Sequence, residues 1–187
     1  MDSTLTSTPL TSCSSLSPLK NTDIKKAHII LNLPLIKAAS ELLKEIIAKN
    51  SRKKKSHCYR DVFYNKNIPS MSIENYISRI VSYTQMDDNL LIITIISMNS
   101  YIKKNKNIFT LNNIYRLFLA SALVNAKFIQ DINYSIKFYA KVGGVSVEEL
   151  QILEFSFYVG LDYDLSIKEE IFQQYIQFFK QKSLKYQ

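Results

Sequence analysis

Apolar residues recur every three or four positions through most of this chain, which is the spacing of one face of an α-helix. The earliest clear case is the segment LPLIKAASELLKEIIAK, where Pro34 falls near the start, a position that helices tolerate well. Its apolar face consists of Leu35, Ala38, Ala39, Leu42, Leu43, Ile46 and Ile47. The pattern therefore predicts a helix that begins near Pro34.

The chain after Ser70 has few residues that interrupt helices. All four prolines precede Ser70, and the three glycines are Gly143, Gly144 and Gly160. A stretch this long without proline favours a helical domain over a sheet. The periodicity predicts further helices at about 73–84, 89–104, 111–128, 134–142, 147–161 and 168–182.

Residues suited to helix ends stand at the boundaries of these segments. Ser72, Thr110 and Ser146 precede helices and have side-chain oxygens that accept hydrogen bonds from the first backbone N–H groups. The Asp87 carboxylate suits the positive end of the helix that follows it. Gly143 suits a left-handed cap at a C-terminus. These residues support the predicted boundaries.

Two of the predicted helices have the composition of a central helix. Leu90–Ile102 is apolar nearly all round, which indicates burial on most sides. Leu111–Phe128 contains small residues, among them Ala120 and Ala122, that let neighbouring helices approach closely. The sequence therefore predicts an all-α bundle in which one of these two helices is wrapped by four others.

Net charge modifies this picture only locally. The chain carries +8, but residues 1–68 hold 12 Lys and Arg against 5 Asp and Glu, whereas residues 69–187 hold 12 against 11. A basic domain would favour nucleic-acid binding. Because the helical body is almost neutral, a nucleic-acid-binding adaptor that uses Arg52–Lys55 and Lys103, Lys104 and Lys106 is the second interpretation.

The N-terminal segment is rich in Ser and Thr and is expected to be poorly ordered over about 1–32, most of all over 1–18. Thr8 and Ser17 each precede a proline, which is the minimal form of a proline-directed phosphorylation site, although such pairs are frequent by chance. Arg52–Lys55 is either a nuclear-import signal or a solvated linker.

Metal, membrane and disulfide chemistry have little support. The two cysteines, Cys13 and Cys58, provide no disulfide framework, and neither His28 nor His57 completes a metal-site spacing with them. The longest apolar run, Leu90–Met98, is too short to span a bilayer. No signal-peptide pattern opens the chain. A soluble protein of the nucleus or cytoplasm is expected, without a bound metal.

Catalytic motifs are also lacking in the sequence. The KVGGVS turn lacks the lysine and hydroxyl of a phosphate-binding loop, and the carboxylate pairs fall at helix ends, where capping explains them. We therefore expect a binding protein with no enzymatic activity, no cofactor and no small-molecule substrate.

Four pieces of the helical body are distinctive together. They are Asn125–Phe128, Asp131 followed by Tyr134, the YAKVGG of Tyr139–Gly144, and the LE and LDYDL of 153–165. With them, residues 68–165 resemble the single cyclin box of the P/U-type cyclins, which regulate cyclin-dependent kinases. The resemblance implies a five-helix cyclin box over 68–165, a flanking helix and basic linker over 33–67, and a C-terminal helix over 166–187.

The resemblance also implies a site. Cyclins place a lysine at the end of the third box helix and a glutamate on the fifth to bind the kinase, and these match Lys127 and Glu154. Val124, Phe128 and Tyr158 are the candidate apolar surroundings. The alternative is structural, with Lys127 acting as a cation at a helix C-terminus and Glu154 as its intramolecular partner.

Two departures from the family pattern concern the partner more than the fold. Asn99-Ser100 stands where many cyclins have an Asp-Arg pair, and Gln130-Asp131 stands where relatives often have two aspartates. The expected function is a regulatory subunit that binds and activates a cyclin-dependent kinase in cell-cycle or nutrient and phosphate signalling. A non-activating scaffold is a further alternative.

Overall fold

The backbone follows the helical pattern of the sequence. A computed structural model describes residues 21–51, 62–131 and 134–186, with side chains from residue 33 onward. These ranges contain no strand. Their helices are α1 (Asn21–Ser51), α2 (Ile73–Thr84), α3 (Asp88–Lys104), α4 (Ile114–Ile129), α5 (Ile136–Gly143), α6 (Val147–Gly160) and α7 (Glu169–Ser183), followed by a 3-10 turn at Leu184–Tyr186. The predicted all-α fold is confirmed, with α2–α6 as the five-helix box and α1 and α7 as flanking helices.

Three of the predicted N-terminal caps are present. Ser72 Oγ accepts from Asn75 N at 3.1 Å, and Ser146 Oγ accepts from Glu149 N at 3.0 Å. The Asp87 carboxylate accepts from the backbone N–H three residues later at 2.7 Å. Each side chain satisfies a backbone donor that has no partner within its own helix. The starts of α2, α3 and α6 are therefore determined locally.

The predicted cap at Thr110 is wrong. α4 begins at Ile114, and the Thr110 side-chain oxygen is buried without a hydrogen-bond partner. The Asn113 side chain organises this turn instead, because its oxygen accepts from Thr110 N at 2.9 Å and its amide donates to Ile108 O at 2.9 Å. A side chain that bridges the turn replaces the simple cap.

The first helix also begins earlier than the pattern indicated. α1 starts at Asn21, so that Pro34 lies inside the helix rather than in its first turn. An internal proline removes one backbone hydrogen bond but does not always end a helix. The predicted disorder of 1–18 and both proline-directed sites lie outside the described residues, as does Arg52–Lys55.

The central helix of the bundle is α4. It packs against α2, α3, α5 and α6, and every residue from Leu117 to Ala126 is buried. This outcome agrees with the second of the two predicted centres. Its small residues allow the neighbouring helices to pack closely. α5 approaches α4 so closely at Gly143 that a Cβ on this glycine would overlap the Leu119 side chain.

The flanking helices cover the side of the box formed by α2 and α3, with α1 packed mainly against α2. α7 packs against both α1 and α3. Asn99 of α3, one of the two departures from the family pattern, donates its side-chain amide to the Tyr175 hydroxyl of α7 at 3.0 Å. The Lys182 ammonium of α7 pairs with Glu45 of α1 at 2.9 Å. Asn99 therefore holds the C-terminal helix against the box.

Candidate functional site

The two charged residues singled out in the sequence meet in space. Lys127 lies in the last turn of α4 and Glu154 in the middle of α6, and the Lys127 Nζ–Glu154 Oε1 distance is 2.5 Å. The lysine side chain is 37% exposed and the carboxylate 15%. A pair this accessible contributes little to folding, at most about 1 kcal/mol. It is nevertheless placed where a partner molecule can reach it.

The three predicted apolar surroundings lie at different depths. Phe128 is 63% exposed, immediately after the lysine. Tyr158 is half-buried, and burial raises the pKa of its hydroxyl. Val124 is completely buried, on the side of α4 that faces the core, so it does not belong to the exposed surroundings of the pair. Its position one turn before Phe128 explains the difference, since α4 is enclosed up to Ala126 and opens only in its last turn.

The largest part of the exposed apolar surface was not predicted from the sequence. Ile152, Phe155 and Val159 of α6 are all exposed, and Phe155 is 63% exposed. Their spacing of three and four residues places them on one face of the helix. Ile129 of α4, beside Phe128, is exposed as well. The available signal was that α6 is apolar on every side, although a helix at the edge of a bundle needs only one buried face.

We call the set of these residues the open surface. It consists of the Lys127–Glu154 pair and the exposed apolar residues of the same two helices, which are Phe128, Ile129, Ile152, Phe155 and Val159. Large apolar side chains left exposed on one face of a helix, as Ile152, Phe155 and Val159 are, mark interaction sites in proteins. The arrangement of a charged pair among apolar side chains suits a protein partner.

A second ion pair fixes α6 against α4. Arg116, in the first turn of α4, pairs with Glu149, in the first turn of α6, and also donates to Tyr64 O at 2.7 Å. With the Lys127–Glu154 pair, it ties the two helices at separate levels. These two ion pairs help to set the orientation of α6, and therefore of its exposed residues, against α4.

Buried polar contacts fix α4 in turn against α3. The Asn125 amide donates to Ser121 O at 2.8 Å, and its oxygen accepts from the Ser97 hydroxyl of α3 at 3.1 Å. The Ser121 hydroxyl donates to Thr94 O of α3 at 3.0 Å. All four residues are buried, and buried polar groups of this kind require their partners. These hydrogen bonds fix the position of α4 along α3, and with it the position of Lys127 in the last turn of α4.

Other candidate sites receive no support from the described residues. No cluster of His, Cys, Asp and Glu within them has the arrangement of a metal site. No helix in the same ranges is long and apolar enough to cross a membrane. Lys103, Lys104 and Lys106 are exposed around the end of α3, where the Lys104 ammonium is already paired with Asp162 at 2.8 Å.

Comparison with known proteins identifies the class. The family model described as Cyclin matches residues 22–165, which includes α1 as well as the five-helix box. Cyclin-U4-2 of Arabidopsis thaliana is 34% identical over 153 residues, covering 80% of this chain and 70% of its own. Cyclin-P3-1 of Oryza sativa subsp. japonica is 29% identical over 161 residues, covering 86% and 66% respectively.

Fungal relatives are similar over a shorter range. PHO85 cyclin-7 of Saccharomyces cerevisiae is 32% identical over 126 residues, covering 60% of this chain and 44% of its own. The chain therefore belongs to the cyclin family. Within it, the relatives support the P/U type, and the function is that of a regulatory subunit of a cyclin-dependent kinase.

Proposed function

We propose that the open surface is the kinase-binding site of this cyclin. The observation that carries the proposal is the ion pair of Lys127 and Glu154 between helices whose neighbouring apolar residues face solvent. Interfaces gain most of their energy from a few central residues, surrounded by contacts that exclude water. Here the pair occupies the polar centre and the exposed residues of α4 and α6 supply the apolar surroundings.

Lys127 and Glu154, which pair with each other in the free chain, can also bind groups of the kinase in the complex. The lysine has three donors and the carboxylate has several acceptor positions, so each retains capacity beyond the single bond between them. A partner helix placed over α4 and α6 would remove water from the pair and offer backbone and side-chain groups to both residues. The charges then fix the register of binding, since a misaligned partner would bury them unpaired.

Activation follows from binding to one state of the kinase. The cyclin would hold the regulatory helix of the kinase inward, so that the kinase's own Lys–Glu ion pair forms and the ATP phosphates are aligned. A kinase that rarely populates this state is shifted toward it by the difference in the cyclin's affinity for the two states. The cyclin itself contributes no reacting group, and we propose no catalytic activity, cofactor or small-molecule substrate for it.

The partner kinase is proposed to be of the PHO85 type. The support is the similarity to PHO85 cyclin-7 and to the PHO85 cyclin-like protein psl1 of Schizosaccharomyces pombe, which is 34% identical over 116 residues. Nutrient or phosphate signalling, in the nucleus or cytoplasm, is the corresponding setting, with cell-cycle control as the other possibility. Specific recognition of nucleic acid forms no part of the proposal, because the helical body is nearly neutral and Lys104 is engaged within the fold.

The direct test uses the full chain and the purified PHO85 kinase of Saccharomyces cerevisiae. We expect a stable one-to-one complex and stimulated phosphorylation of a protein substrate. A complex without stimulation would support the non-activating scaffold, and no complex at micromolar concentration would overturn the PHO85-type assignment. Binding to DNA or RNA should be weak and should decline steeply with salt, as sequence-independent phosphate contacts do; tight binding that withstands salt would favour the nucleic-acid adaptor.

A further inference from the structure

The turn that follows α6 has a backbone conformation that usually requires glycine. Asp162 and Tyr163 have φ angles of 54° and 59°, in the left-handed region that side chains disfavour. Asp162 N donates to Val159 O and Tyr163 N to Tyr158 O, each at 2.9 Å. These two bonds form a Schellman cap, in which the left-handed residue is most often glycine. α5 follows the usual rule, but its left-handed cap is Gly144, with a φ of 73°, rather than Gly143 as expected, because Gly143 is the last residue of the helix.

The end of α3 holds this turn from outside. The Lys104 ammonium donates to Leu161 O at 2.7 Å and pairs with Asp162 at 2.8 Å. The Asn105 side-chain amide donates to Gly160 O at 2.9 Å. Three successive residues at the end of α6 are therefore bound by two successive residues at the end of α3. We call Lys104 and Asn105 the α3 clamp.

The clamp is combined with an unusually close approach. A Cβ on Gly160 would overlap the ring of Tyr101 and press on the Asn105 amide. The same amide also donates to Tyr101 O at 2.8 Å, which fixes its orientation. The glycine is needed here for space rather than for its φ angle. Contact and hydrogen bonding thus restrain the end of α6 together.

The restrained turn presents a large aromatic side chain. Tyr163 is 65% exposed. It lies four residues after Val159, the last exposed apolar residue of α6. Aromatic anchors on rigid backbones are typical of the residues that dominate interfaces. A tyrosine left in solvent, on a backbone conformation that needs external support, has no evident role in the stability of the isolated chain.

We propose that Lys104 and Asn105 are positioning residues for kinase binding, which hold the left-handed turn after α6 so that Tyr163 extends the open surface toward the kinase. The inference rests on the proposed function. It assigns no contact between the clamp and the kinase. Lys104 acts through the turn, and Tyr163 makes the contact.

The first test compares Lys104→Met with Lys103→Met in the full chain. The probe is the purified PHO85 kinase, and its dissociation constant and dissociation rate are measured together with Tm. Lys104→Met should weaken binding by about tenfold, the size expected for coupled neighbours. Lys104→Arg should restore most of it because it keeps the charge, and Lys103→Met, an exposed lysine of the same helix end, should leave it unchanged. Equal effects of the two methionine variants would overturn the inference.

Two further variants separate positioning from stability. Asp162→Gly relieves the left-handed strain and frees the turn, so it should keep or raise Tm while it weakens binding about three- to tenfold. A double-mutant cycle tests whether Lys104 affects kinase binding through Tyr163. If it does, Lys104→Met should have almost no effect on binding in a Tyr163→Ala background. Additive losses would contradict the proposal. If Lys127→Ala also left binding unchanged, the proposed function itself would fail, whatever the clamp variants do.

Discussion

The two helices that meet at the Lys127–Glu154 pair have similar composition and opposite environments. α4 is apolar along most of its length and buries nearly all of it. α6 is also apolar on every side, but it buries only Leu150, Leu153 and Phe157. α4 packs against four other helices of the box, whereas α6 lies at the edge and leaves Ile152, Phe155 and Val159 in solvent. What distinguishes the buried helix α4 from the exposed helix α6 is the set of neighbouring helices and not the mean apolar character of their residues.

This difference separates two kinds of apolar residue that look the same in the sequence. Those of α4 stabilise the folded chain, because unfolding exposes them. Those on the outer face of α6 contribute little to folding and are available to a partner. Substitutions in α4 should therefore lower the stability of the free chain, and substitutions on the outer face of α6 should weaken the binding of a partner.

The largest effect on stability is expected from the centre of α4. Leu123 is fully buried, so Leu123→Ala removes apolar contacts and leaves a cavity. The free energy of unfolding should fall by about 2–5 kcal/mol. Chemical denaturation of the free chain measures the loss. A loss below 1 kcal/mol would mean that α4 is not the centre of the bundle.

The largest effect on binding without an equal effect on stability is expected from the charged pair. Lys127→Ala or Glu154→Ala leaves the other charge unpaired beneath the kinase, which costs about 2–5 kcal/mol and weakens binding some tens- to thousands-fold. Stability should change by only about 0–1 kcal/mol, because the pair is partly exposed in the free chain. Titration of labelled kinase gives the dissociation constants.

Lys180→Ala, in α7 and outside the box, is the control and should change little. Kinase activity should decline in parallel with occupancy and recover partly at high cyclin concentration. Variants that bind normally but melt several degrees lower would show that the pair is structural, which was the alternative raised by the sequence.

The contrast exists within α6 itself. Phe155 is exposed and Phe157, two residues later, is fully buried. Phe155→Ala should weaken kinase binding by roughly tenfold and leave Tm unchanged. Phe157→Ala should lower Tm strongly, because it empties a core position. Calorimetry and kinase titration on both variants give the comparison, and a matched loss of Tm would place Phe155 in the fold rather than in the interface.

The smallest effect concerns acid titration at the start of α6. Glu148 is in the first turn of α6, and the first turn of α4 contains no acidic residue. A backbone hydrogen bond and then the Ser146 hydroxyl lower the pKa of Glu148 from its ordinary value of 4.5. The ionised Glu148 carboxylate therefore stabilises the fold at pH values above its ordinary pKa. This stabilisation is lost as the pH falls through the lower pKa of the folded state.

The change in Tm should be small because Glu148 is fully exposed. Thermal scans at successive pH values below neutrality measure it. Glu148→Gln removes the titrating group and should flatten this part of the profile. An unchanged profile would show that the charge at the start of α6 has no role in its stability.

Most of the fold was predictable because helix periodicity and capping are local. Ser72, Asp87 and Ser146 act where the pattern placed them. Thr110 does not, because the Asn113 side chain bridges the same turn from within. The apolar pattern does not reveal the start of α1, because a proline usually marks a helix boundary, whereas this helix continues on both sides of Pro34.

The site was predictable only in part. Lys127 and Glu154 came from the family resemblance, and the structure places their side chains together. No local pattern reveals that Val124 is enclosed while Phe155 is open, since exposure depends on which helices pack around each residue. The contact between Lys104 and the turn after α6 could not be predicted from local pattern either, because Lys104 and Leu161 are 57 positions apart in the chain.

The buried polar contacts between α3 and α4 have a consequence for evolution as well as for binding. If α4 slid along α3 by one turn, about 5.4 Å, the hydrogen bonds from Ser97 to Asn125 and from Ser121 to Thr94 O would both be broken. These bonds therefore favour the observed alignment of the two helices. Lys127 follows Asn125 by two residues, so its position is fixed from the interior of the bundle, and the exposed residues of the open surface can be substituted without moving it.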